Sequence, residues 1–89
     1  MAKILVIDDE GQLRDLLNRM LTRDGHQILV ANDGEEGIKS FHHFKPDLII
    51  TDIIMPEKDG IEVIVEILKY NPNFPIIAIS GGRRAITAD

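Results

Sequence analysis

The chain has 89 residues, 44% of them hydrophobic and 28% charged, with a formal net charge of −5 and no cysteine. That length suits one small domain and excludes two ordinary ones, and the composition is globular rather than disordered. The acidic balance argues against nucleic acid as a partner of this domain, and the absence of cysteine removes disulfides and thiolate metal sites.

The N-terminus opens directly on Ile4-Leu5-Val6-Ile7, a β-branched apolar run that stops at Asp8 and Asp9. It lacks the hydrophobic segment and cleavage pattern of a secretion signal, which points to a cytoplasmic protein. Apolar runs of this length also fall far short of the ~20 residues that span a bilayer, so no membrane partner is expected. Without polar alternation, the run reads as a strand buried on both faces of a parallel sheet. Leu13, Leu16, Leu17, Met20 and Leu21 then recur at helical spacing and form one apolar stripe. Gly25 follows, where a left-handed closing residue is common.

Gln27 to Ala31 gives a second strand. Asp33 and Glu36 have capping-box spacing and open a helix that carries Ile38 and Phe41 inward and stops before Pro46. Leu48 to Thr51 is the third strand, with Asp52 at its end. Asp59 and Glu62 repeat the capping spacing and start a helix through Ile61, Ile64 and Leu68. Asn71-Pro72-Asn73 breaks it, and Ile76 to Ile79 forms a fourth strand. Gly81-Gly82 is a turn, and Arg83 to Asp89 has the makings of a further helix. Strand and helix alternate throughout residues 1–89, which predicts an α/β fold with a parallel sheet and right-handed crossovers.

In such sheets ligands bind beyond the carboxyl ends of the strands, near the point where strand order reverses. Asp8 and Asp9 stand at that end of the first strand, Asp52 at that end of the third, and Ser80 at that end of the fourth. If those strands are neighbours, three carboxylates and a hydroxyl converge. Carboxylates brought together repel by about 4 kcal/mol per pair at ~4 Å and an effective dielectric near 20. A hard divalent cation removes that repulsion, and Mg²⁺ prefers carboxylates, water and phosphate. The set then has the parts for phosphoryl chemistry: a carboxylate nucleophile, a metal and a hydroxyl donor. Taken singly, each residue has a local alternative. Asp9 could cap the first helix, Asp52 could shape the turn before Met55-Pro56, and Ser80 could belong to a turn with Gly81.

The motifs Ile7-Asp8-Asp9-Glu10, Pro46-Asp47-Leu48-Ile49-Ile50-Thr51-Asp52, Met55-Pro56, Asp59-Gly60 and Ile79-Ser80-Gly81 occur in order. As an ordered set the chain resembles the receiver domain of two-component response regulators. The resemblance implies a flavodoxin-like doubly wound parallel sheet of order 2-1-3-4-5, of which this chain would supply 2-1-3-4. It implies that Asp52 is the phosphoacceptor, served by a sensor histidine kinase, a phosphotransfer protein or a small phosphodonor. It further implies Mg²⁺ bound directly by Asp9 and Asp52, through water by Asp8, and by the backbone carbonyl of Ile54. Ser80 would be the switch hydroxyl that turns toward the phosphoryl group and passes the change to an output domain or effector. Such a domain is a signalling element that takes part in its own phosphoryl transfer and dephosphorylation, rather than an enzyme acting on other substrates.

The family's lysine at the end of a fifth strand has no match, because the last lysine here is Lys69. Residues 1–89 are therefore expected to be a C-terminally incomplete receiver, truncated before the usual fifth strand and last helix. Three helices cannot cover both faces of the sheet, so self-association through the incomplete side is expected. The missing lysine also keeps a second reading in play: a non-phosphorylated interaction module of receiver shape. A haloacid-dehalogenase-like phosphatase is a third, since Glu10 stands two residues after Asp8.

His42 and His43 are adjacent on a helix, point in different directions and lack a third ligand nearby, so they are expected to be surface residues near a helix C-terminus. Lys58, Arg83 and Arg84 read as solvated loop residues, although the arginines could in principle stand in for the missing lysine. Asp8-Asp9-Glu10-Gly11 follows the first strand where a dinucleotide or P-loop fold needs a glycine-rich loop, which excludes both.

Overall fold

A computed structural model describes residues 1–55 and 59–79. The elements run β1 (Lys3–Ile7), α1 (Gly11–Arg23), β2 (Gln27–Ala31), α2 (Gly34–Phe44), β3 (Leu48–Asp52), α3 (Gly60–Tyr70) and β4 (Ile76–Ile79). All pairings are parallel and the sheet order is β2-β1-β3-β4. The alternation read from the sequence thus produces the expected doubly wound topology.

The apolar strands divide two clusters between their faces. Leu5, Ile7 and Ile49 meet Val63 and Ile67 of α3, with Ile38, Phe41 and Phe44 of α2 packed against them. On the other face Ile4, Val6 and Ile50 are covered by Leu17 and Leu21 of α1. Among the described residues two helices therefore serve one face and a single helix the other. The stripe on α1 is only partly used, since Leu16 and Met20 remain 45% and 43% exposed. β4 is less covered than β1 and β3 among the described residues. Ile77 and Ala78 are exposed, and β4 is paired there only with β3.

Helix ends follow local chemistry. Gly25, at φ +93, closes α1, with its own N–H donating to Thr22 O and the His26 N–H donating to Leu21 O, a paired closure of the last carbonyls. Asp33 accepts from the Glu36 N–H at 2.8 Å and Asp59 from the Glu62 N–H at 3.0 Å, as their spacing predicts. The Glu36 carboxylate reaches back to the Asn32 N–H at 2.7 Å, one residue before the cap. α2 ends on Lys45, a left-handed residue at φ 52 that no glycine or asparagine announces.

Candidate metal and phosphoryl site

Parallel register brings the acids together. Ile7 of β1 pairs with Thr51 of β3, so the next residues, Asp8 and Asp52, leave the two strands side by side. This is where the sheet order reverses, with β2 on one side of β1 and β3 on the other. Asp8, Asp9 and Asp52 each offer an oxygen, and these oxygens all lie within 4.8 Å of one another. They form the only group of metal-capable side chains among the described residues.

Asp8 is held from several directions and is fully buried. Its N–H donates to Ala31 O, its Oδ1 accepts from the Glu10 N–H at 2.7 Å, and its carbonyl accepts from Arg14 Nη1 at 2.8 Å. The other carboxylate oxygen, Oδ2, is buried with no hydrogen-bond partner. Burial pushes the Asp8 carboxyl above the ordinary carboxylate range, and the charges of Asp52, Asp9 and Glu10 raise it further against the opposing Glu10 N–H bond. Asp52 is 8% exposed, enough for one edge to meet a ligand. Its Oδ1 accepts a long bond from the Ile54 N–H at 3.4 Å, so the chain turns over the end of β3.

That turn is braced by α3. The Gly60 N–H donates to Ile53 O at 2.8 Å, and a Cβ on residue 60 would collide with the Asp52 carbonyl oxygen and stand 2.6 Å from Ile53 Cα. The helix can approach the strand end this closely only because residue 60 has no side chain.

The local alternative for Asp9 falls away. The N-cap of α1 is Glu10, which makes no side-chain cap bond. The turn alternative for Asp52 is real but minor, being that single long bond to Ile54. His42 and His43 stay apart from the acids. His42 stacks edge-on against Phe41 and Tyr70, while His43 Nδ1 lies 2.9 Å from Lys39 O. Ser80, Lys58, Gly81-Gly82 and the segment from Arg83 to Asp89 lie outside the described residues. Sequence reasoning missed Arg14 and the bracing role of Gly60, since neither carries a spacing signature of its own.

A family model, the response regulator receiver domain, matches residues 4–88. The chain belongs to that family. This receiver is 35% identical to the chemotaxis protein CheY of Thermotoga maritima, over 98% of this chain and 74% of that protein. It is 42% identical to the alkaline phosphatase synthesis transcriptional regulatory protein PhoP of Bacillus subtilis, over 88% of this chain but only 32% of that protein. The receiver therefore spans about a third of that longer regulator. Among solved structures, the response regulator TrrA of Thermotoga maritima, in complex with Mg²⁺-BeF, superposes with a TM-score of 0.85 at 42% identity, covering 90% of this chain and 70% of that one. A receiver domain protein from Clostridium thermocellum superposes at 0.86 with 36% identity, covering 91% and 66%. These likenesses bear out the flavodoxin-like doubly wound sheet of order 2-1-3-4.

Proposed function

We propose that this receiver is a phosphorylation-controlled switch in which Asp52 accepts a phosphoryl group from a partner histidine kinase or phosphotransfer protein. The observation that carries the reading is the convergence of three carboxylates on one rim, with the buried Asp8 Oδ2 lacking any partner. At separations up to 4.8 Å, each charged pair costs about 3–4 kcal/mol at an effective dielectric of 20. A fold that keeps such a set together is suited to a divalent cation.

The donor set is all hard oxygen, which fits Mg²⁺. Asp9, Asp52 and the Ile54 carbonyl would hold the ion directly, and Asp8 through water. The ion supplies neutralisation of phosphoryl oxygen charge. TrrA, solved with Mg²⁺-BeF, supports this assignment by likeness. Asp52 acts as nucleophile: a carboxylate oxygen forms the new P–O bond as the P–N bond of the phosphohistidine breaks, and the imidazole nitrogen departs with the electron pair. Asp8 and Asp9 keep the site anionic until the cation arrives. Ser80 would donate its hydroxyl to the new phosphoryl group, which brings a charge of about −1.5 to −2 for the surrounding loops to read. The output is an attached domain or a separate effector, and the domain works in the cytoplasm as a signalling element rather than an enzyme on foreign substrates. Among the described residues no helix is long and apolar enough to cross a membrane.

The reading as a non-phosphorylated interaction module is not favoured, since such a module has no use for repelling acids at its centre. Incubation with Mg²⁺ and a small phosphodonor, followed by intact mass measurement and peptide mapping, separates the alternatives. One phosphate on Asp52, lost in Asp52→Asn, is expected. A label on Asp8 would point to phosphatase-type chemistry, and no label would restore the interaction module.

A further inference from the structure

Arg14 is the one basic side chain seen to reach the acidic rim among the described residues, and its contact is unusual. Its Nη1 donates at 2.8 Å to the main-chain carbonyl of Asp8, six residues earlier, and not to a carboxylate. The side chain arises in the first turn of α1 and runs back toward the helix start, the direction helical side chains favour. It passes close to Gly11, where a Cβ would stand 3.7 Å from Nη2. The Arg14 N–H meanwhile donates to Glu10 O at 3.1 Å, closing the first helical turn. Arg14 thus grips both ends of the short link between β1 and α1.

The carbonyl it holds belongs to the peptide that joins Asp8 to Asp9. Fixing that peptide fixes where the Asp9 backbone begins, while the Glu10 N–H fixes Asp8 Oδ1. The Asp8 side chain is left with one buried oxygen, Oδ2, that has no hydrogen-bond partner. Building on the proposed Mg²⁺ site, we infer that Arg14 is a positioning residue: it locks the Asp8–Asp9 peptide so that both carboxylates face Asp52 in the geometry the cation needs. Partners that orient metal-binding groups without touching the ion commonly change metal affinity by about 10–100-fold when removed.

A rival account gives Arg14 a purely electrostatic role, as a counter-charge for the acids. The two accounts predict opposite signs. A guanidinium beside a cation site repels the cation, so deleting only its charge tightens Mg²⁺ binding. Deleting a lock loosens it. The test is calorimetric titration of the full 89-residue chain with Mg²⁺ alone, comparing wild type, Arg14→Ala and Arg14→Lys. Backbone amide spectra of each variant report whether the sheet is intact.

The expected result is a dissociation constant raised about tenfold in Arg14→Ala. Arg14→Lys, which keeps one donor of similar reach, is expected to fall between the two. Phosphorylation at saturating Mg²⁺ should stay within about twofold of wild type, so that the defect lies in the Mg²⁺ requirement rather than in the maximal rate. Equal or tighter Mg²⁺ binding in Arg14→Ala would overturn the inference while leaving the parent site standing. If Arg14→Ala does not fold, Arg14→Lys decides: binding as tight as wild type counts against the lock. No Mg²⁺ uptake by wild type would overturn both readings together.

Discussion

Asp8 shows how a single side chain can be placed against its own preference. Its carboxyl is buried, raised in pKa first by that burial and then by neighbouring acids. The folded protein therefore holds the Asp8 proton more tightly than the unfolded chain, whose value is near 3.8. The stabilising contribution is fully present below that unfolded value and is lost as pH rises through the elevated folded one. Asp8→Asn removes the loss while keeping an oxygen for the Glu10 N–H. Thermal unfolding without Mg²⁺ at neutral pH should show the variant more stable than wild type, with the gap closing toward acid. A gain of about 1 kcal/mol would appear as a Tm rise of roughly 4–8 °C in a domain this size. Wild type should recover the difference on adding Mg²⁺, whereas the variant should respond little. A gap that widened toward acid would contradict the burial argument. Gly60→Ala tests the Asp52 side of the same rim: because the obstacle is backbone, a loss of about 1–3 kcal/mol is expected by denaturant titration, together with weaker Mg²⁺ binding. An unchanged midpoint would mean that α3 can retreat without cost.

Among the elements, the starts of α2 and α3 and the stop of α2 before Pro46 were legible, whereas the cap of α1 and the left-handed residue that ends α2 were not. Asp33 and Asp59 cap α2 and α3 as their spacing from Glu36 and Glu62 foretold, because a capping side chain acts within one turn of sequence. Strand identity was equally readable, since continuous β-branched runs leave few alternatives. The acid cluster followed from knowing which strands end in aspartate, once β1 and β3 were neighbours. Arg14 was invisible because its contact depends on how a loop folds under a helix. The left-handed geometry of Lys45 was invisible because such geometry is normally signalled by glycine or asparagine, and here it falls on a lysine. Left-handed backbone costs a side-chain-bearing residue about 1–2 kcal/mol, against about 0.5–1 kcal/mol of extra chain freedom lost by glycine. Lys45→Gly should therefore stabilise by about 0.5–1 kcal/mol in denaturant unfolding. Destabilisation would mean that the lysine side chain contributes contacts of its own.

At the scale of the whole molecule the two sheet faces are unequal. The α2 and α3 side buries the larger cluster and leaves Ala78 exposed, while the α1 side leaves Leu16, Met20 and Ile77 at 43–48% exposure. Ile77 pairs in register with Ile50, whose cluster lies under Leu17 and Leu21, so these residues belong to one side of the sheet. Exposed apolar area of this kind drives association. Sedimentation of the 89-residue chain should show concentration-dependent self-association, reduced by replacing Leu16 and Met20 with glutamine. A single monomeric species across the concentration range would dismiss the idea.

The residue-for-residue match of β1 with β3 sets a counting constraint on the molecule. Side chains alternate between the faces of a strand, so inserting or deleting one residue within Leu48–Asp52 would swing every later side chain to the opposite face. Asp52 would leave the rim although its chemistry was untouched, and Thr51 or Ile53 would stand in its place. Length changes at Asn71–Pro75, on the far edge from the acids, carry no such consequence. Tolerance to insertion in this domain is thus governed by parity within the central strands, and graded by distance everywhere else.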